Sequence, residues 1–199
     1  RCPASLAYNY DLLTGGGQYT QLDWRLFPKK LPYAKGVTDA EPHLARTNNL
    51  AQSYFGLYES KPYYFANSSI LFATTTRLTY AAMYRNLVWN DWLIPIANMN
   101  QEAQKTSFEI RSPKTLGLQP KKNYALFDIH QRTARTLKGK DLNQAFSDLS
   151  VPGWNQRLFC LREQPNDAPF HLWGGKRISE VWVRKNKKLT FAVHGPAGQ

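Results

Sequence analysis

From Asp91 onward the chain breaks into short apolar runs separated by Pro, Gly and Asn turns, and no other feature constrains its fold as tightly. The runs "DWLIPIAN", "TSFEI", "YALFDIHQ", "FSDLSV", "WNQRLFCLRE" and "RISEVWV" start between 8 and 23 residues apart, each too short for a helix and too apolar for a loop. The last continues as "VWVRKNKKLTFAVHG", where Val181 and Val183, then Leu189, Phe191 and Val193, alternate around a Lys-Asn-Lys turn. That is a hairpin pattern. Strands of this length and spacing predict a mainly β fold, with an antiparallel β-sandwich over residues 88–199. "DWLIPIANMN" and "QKTSFEIRS" read as neighbouring strands joined by a polar turn through Asn98–Glu102.

Residues 1–87 follow a different pattern and predict a smaller, mixed α/β region, either the end of a barrel or a packing segment. Thr38 or Asp39 offers a helix cap, Glu41 sits in the first turn, and Leu44, Leu50, Tyr54 and Leu57 recur at roughly helical spacing. "KPYYFANSSILFATTTRLTYAAMYRNL" is aromatic and β-branched, a strand expected to run into a short helix. Gly15, Gly16 and Gly17 are adjacent, whereas a phosphate cradle needs glycines at fixed intervals between a strand and a helix.

Charge and cysteine content narrow the classes further. Net charge is +12, and residues 101–199 hold 17 Lys/Arg against 8 Asp/Glu. Such a bias suits an acidic polymer such as RNA, but also a solvated basic face. Lys121–Lys122, Lys138–Lys140, Lys176–Arg177 and Arg184–Lys188 fall in expected turns rather than interleaving with aromatics on one sheet face, so nucleic acid is the minority reading. No apolar run is long enough for a membrane helix, and no membrane partner is expected. The opening "RCPASL" lacks Met and reads as a mature product or a piece, which leaves the compartment, cytoplasmic or extracytoplasmic, open. Cys2 and Cys160 are the only cysteines, and whether they pair stays open. His43, His130, His171 and His194 show no metal-ligand spacing, so neither metal nor cofactor is expected.

Two sets of residues carry the candidate chemistry. Asp128 and His130, two apart on a strand, share one face with Tyr124 and Leu126. Ala125, Phe127 and Ile129 are expected to face the core, which turns Asp128 and His130 toward solvent or a neighbouring loop. A catalytic dyad needs a nucleophile and an oxyanion donor, and no G-x-S-x-G supplies them. Asp128 is therefore expected to fix the turn after it, and the catalytic residues are unknown. Trp154 in "VPGWN" and Trp173 in "HLWGG", each beside glycine, are the candidate ligand-binding residues, because an exposed indole stacks on sugar rings or bases. Trp89 and Trp182 are assigned to the core.

The order of elements over residues 88–165 resembles the β-sandwich that follows the (β/α)₈ barrel in α-galactosidase-like and related glycoside hydrolases. A strand running from Asp to Asn ("DWLIPIAN") precedes "TSFEI", an "LGL" turn, "YALFD", a strand entering a Val-Pro turn ("LSVPGW") and "RLFCLRE". The resemblance implies an accessory role beside a preceding catalytic barrel domain, which would supply two catalytic carboxylates. Residues 1–87 are too few for a barrel, "TGGGQYTQLDW" carries no pattern that maps onto a catalytic position, and Asp11, Asp23 and Asp39 are acidic candidates with no role assigned. Three functions follow: the C-terminal accessory part of a glycoside hydrolase without a complete active site, a non-catalytic β-sandwich module binding glycan or protein, or a basic structural subunit of a nucleoprotein assembly.

Overall fold

The computed structural model describes residues 13, 60–64, 69–87, 90–164, 178–183 and 188–193. These are mainly β, and every ladder is antiparallel. β1 (Ser60–Tyr63), β2 (Phe72–Thr74), β3 (Thr79–Ala81), β4 (Met83–Asn86) and β5 (Asp91–Asn98) are followed by β6 (Gln104–Thr106), β7 (Phe108–Ile110), β8 (Asn123–Asp128) and β9 (Thr133–Lys138). A 3-10 turn (Gly139–Asp141) and the one-turn helix α1 (Leu142–Ala145) lead to β10 (Leu149–Val151), β11 (Gln156–Glu163), β12 (Ile178–Val183) and β13 (Lys188–Val193).

The main sheet runs β1-β4-β5-β11-β8-β9, with β3 also on β5. All eight residues of β5 are buried, as a strand with partners on both edges and layers on both faces requires. Pro95 lies in this central strand, a place where proline is normally excluded because it cannot donate to the ladder. The structure accommodates it with one break. β3 and β4 keep the same register against β5 on either side of Ala82, and the Pro95 carbonyl still accepts the Ala82 N–H at 3.1 Å. The sheet's outer strands follow the usual rules: β1 carries Pro62, and β9 is almost wholly exposed and bears Arg135 and Lys138, charges that discourage pairing with another chain.

One face of the sheet presents Met83, Trp92, Ile94, Ile96, Tyr124, Leu126, Phe159 and Leu161. A second layer covers it, formed by the β2–β7 and β6–β10 ladders and α1, through Phe72, Phe108, Ile110, Phe146 and Val151. Phe146 sits between Phe108 and Phe159, each edge-to-face at 5.3 Å, a favoured arrangement for aromatic quadrupoles. The opposite face buries Ala82, Tyr84, Leu93, Ala97 and Leu158, joined by Leu13. The antiparallel sandwich expected from strand spacing is thus present, and the β12–β13 hairpin forms in the expected segment.

Three expectations are corrected. "DWLIPIAN" and "QKTSFEI" do not pair with each other: β5 pairs with β3, β4 and β11, while β6 joins β10 and β7 joins β2. Residues 72–86 contain β2, β3 and β4 and no helix. The third concerns β8, whose Tyr124, Leu126 and Asp128 are buried, at 0%, 2% and 5% exposure, and lie on the face covered by the second layer. Phe127 and Ile129 are only half-buried. The helix expected near residues 38–57, the side chains of Trp89 and Trp182, and the rest of the α/β region lie outside the described residues.

Candidate functional site

The Asp128–His130 stretch closes the β8–β9 hairpin, with Asp128 facing Thr133 across the ladder. Asp128 Oδ1 accepts the main-chain N–H groups of His130 at 3.0 Å and Gln131 at 2.9 Å. An aspartate that bonds the backbone two and three residues on stabilises a turn directly. Arg132 completes the hairpin in a left-handed conformation (φ 55°). Asp128 Oδ2 accepts both Nε of Arg157, at 3.0 Å, and its Nη2. Arg157 also donates from Nη1 to the Ser150 carbonyl at 3.1 Å and lies 5.3 Å from the Phe159 ring centre. Both carboxylate oxygens are occupied by donors, so Asp128 holds a turn to a strand, as expected. Its burial is not as expected. The His130 ring is turned to structure too, Nδ1 accepting the Leu158 N–H at 3.2 Å.

Around this ion pair opens a cleft of about 510 Å³. Leu126, Leu149 and Phe159 form its buried floor, and Asp128 and Arg157 line it as well. The β8–β9 side contributes Gln131, Thr133 and Arg135, and the α1–β10 side contributes Gln144, Ser147, Asp148 and Ser150. Arg135 bridges the two sides by donating to the Ala145 carbonyl. Asp148 is in a left-handed conformation (φ 51°), and its N–H donates to Ser107 Oγ at 3.2 Å. None of these cleft residues was singled out by sequence, apart from Asp128. The cleft's rim is made of exposed polar residues of no motif, and only the packing of α1 against the sheet gathers them.

Trp154 lies on a different loop, between β10 and β11. Asn98 organises it: its Nδ2 donates to the carbonyls of Glu102, Val151 and Pro152, and its Oδ1 accepts the Asn100 N–H at 2.8 Å. Trp154 itself donates its N–H to the Asn100 carbonyl at 2.8 Å and is left-handed (φ 55°). The residue is half-buried and does not line the cleft. Gly153 lets the two loops meet, because a Cβ there would fall inside the van der Waals shell of the Gln101 carbonyl oxygen. Gly153→Ala is expected to cost about 1–3 kcal/mol in urea denaturation, the usual range for forced overpacking. A loss within about 0.5 kcal/mol would mean that the loop moves aside at no cost. Trp173 lies outside the described residues.

At the other end of the sheet, Arg85 Nη2 donates to Asn90 Oδ1 at 3.0 Å, and Asn90 Nδ2 donates to Glu163 Oε2 at 2.8 Å. Glu163 also holds Lys122 at 2.6 Å, and this hydrogen bond raises the Lys122 pKa. Tyr124 Oη accepts the Gln119 N–H at 2.9 Å, while burial pushes its phenol up. Asp91 and Arg162 pair at 3.5 Å. The Cys160 thiol is buried beside them, and burial first, then the Asp91 charge, drives its pKa well above the ordinary range. A protonated, enclosed thiol is a poor nucleophile. Among the described residues no group of three His, Cys, Asp or Glu side chains is placed to hold a metal. No helix among them is long and apolar enough to cross a membrane. The chain matches no family model, no curated protein and no solved structure.

Proposed function

We propose that this chain serves as the accessory β-sandwich part of a carbohydrate-active enzyme of the glycoside hydrolase kind, with the bond-breaking chemistry supplied by a catalytic barrel. The observation that carries this reading is the use made of the cleft's inner carboxylate. Glycoside hydrolysis needs one carboxyl group to give up a proton and a second to attack or activate water, the two flanking one sugar bond. Asp128 and Asp148 line the same cleft. Asp128 is nonetheless buried, with one oxygen on two turn N–H groups and the other on Arg157, so it presents no oxygen to a glycosidic bond. The element order over residues 88–165 that resembles the sandwich of α-galactosidase-like enzymes supports the same assignment.

The test is release of reducing ends or aryl leaving groups from a panel of α- and β-glycosides by the purified chain. No release above buffer is expected, for the native chain and for Asp148→Asn alike. Turnover by the native chain that disappears in Asp148→Asn would sink the accessory reading and make the cleft an active site. A second reading, a glycan-binding module without catalysis, is favoured specifically by the size of the cleft and its amide and hydroxyl rim. Retention of oligosaccharides without cleavage distinguishes it.

A further inference from the structure

The cleft between the β8–β9 hairpin and the α1–β10 segment is lined by as many carboxylates as guanidinium groups, although the chain as a whole is strongly basic. We infer that it is a binding site for an uncharged oligosaccharide, separate from the Trp154 loop. The inference rests on the carbohydrate reading above and makes it specific.

Three properties of the lining point to that ligand class. The first is size: about 510 Å³ falls inside the range of roughly 300–1,000 Å³ typical of small-molecule sites. The second is charge. The chain carries +12, yet the lining holds two carboxylates, Asp128 and Asp148, against two guanidinium groups, Arg135 and Arg157. Both guanidinium groups already donate inside the protein, Arg157 to Asp128 and Ser150, Arg135 to Ala145. Arg157 is neutralised by Asp128, and the remaining Arg135 and Asp148 balance in number, so the lining as a whole offers a phosphate or sulfate no excess of positive charge. Phosphate recognition relies on the reverse, an excess of available Arg or Lys.

The third property is the kind of hydrogen bonding on offer. Gln131, Gln144, Thr133, Ser147 and Ser150 are all exposed at the rim. Amides and hydroxyls both donate and accept, which matches the mixed demand of sugar hydroxyls. The floor is apolar and closely packed, Phe159 being backed by Phe146 and Phe146 by Phe108, so the rim side chains supply the contacts a ligand would meet. Among the described residues β9 pairs with β8 alone, and its Thr133, Ala134 and Arg135 line this wall.

The experiment uses the full chain on an array of uncharged gluco-, galacto-, manno- and xylo-oligosaccharides, with heparin oligosaccharides and single-stranded RNA as anionic probes. Four proteins are compared: native, Ser150→Trp to fill the cleft, Gln131→Ala/Gln144→Ala to strip its rim, and Trp154→Ala. Thermal melting establishes that each variant is folded, and the double alanine variant serves if Ser150→Trp is not. An uncharged glycan bound by the native chain, about ten-fold weaker or more in both cleft variants and unchanged in Trp154→Ala, is the expected result. Binding that survives both cleft variants but is lost in Trp154→Ala overturns the cleft while leaving the carbohydrate reading standing. Heparin or RNA bound with a steep salt dependence, and no uncharged glycan bound, overturns both. The absence of binding to any probe overturns the cleft and the glycan-binding reading, while the accessory reading is decided by the hydrolysis test.

Discussion

Asp128→Ala is expected to destabilise the fold by about 3–5 kcal/mol, because it leaves a guanidinium without its carboxylate in a largely dry place. The side chains of Arg157 and Asp128 are 12% and 6% exposed, so water does little to replace the lost partner. The same substitution removes the acceptor of two turn N–H groups. Asp128→Asn separates these contributions. Its amide oxygen continues to accept the turn N–H groups, but its NH2 then faces the Arg157 donors in place of Oδ2, so most of the loss should persist and report the ion pair apart from the turn. Asp128→Leu/Arg157→Met, which removes both charges, should lose less than Asp128→Ala, since replacing a buried pair by apolar groups is often close to neutral. Urea denaturation of the four proteins reads all of this. A loss for Asp128→Ala under about 1 kcal/mol would put the pair in the class of surface ion pairs and remove it from the argument.

Phe146→Ala should be comparably damaging, at about 3–5 kcal/mol, the range for deleting a large aromatic ring from a core. Phe146 is fully buried, follows α1 directly, and touches one ring from the second layer and one from the main sheet. Its carbonyl also accepts the Phe108 N–H at 3.1 Å, so backbone and side chain tie the same two elements together. The vacancy would lie under Phe159, beneath the floor of the cleft. If the cleft binds an oligosaccharide, affinity should fall along with stability in Phe146→Ala, and Phe146→Leu should restore part of both. A variant that loses less than about 1.5 kcal/mol would show that the second layer collapses into the gap, as well-matched core replacements allow.

Strand positions were readable because they follow from local alternation and punctuation. β5, β8, β10, β11 and the β12–β13 hairpin fall in the segments that those signals marked, and Asp128 holds its turn, as expected. The face of β8 was not readable. Its apolar residues occupy both phases, Tyr124 and Leu126 in one, Ala125, Phe127 and Ile129 in the other. Alternation alone cannot choose between two such sets. The choice was made by the layer that lies over one of them, built from β2, β6, β7, β10 and α1.

The same distinction separates the rest. Alone, the sequence determined that these residues form an antiparallel β fold with turns at particular places, since each strand and turn depends on neighbours within a few residues. Tertiary structure decided which strands pair, since the partners of β5 come from before and well after it and no local pattern encodes a pairing across that distance. It also decided that a carboxylate expected at the surface is enclosed with Arg157, 29 residues away. The cleft itself exists only because the hairpin and α1 are brought side by side, assembling ordinary Gln, Ser and Thr residues into one wall.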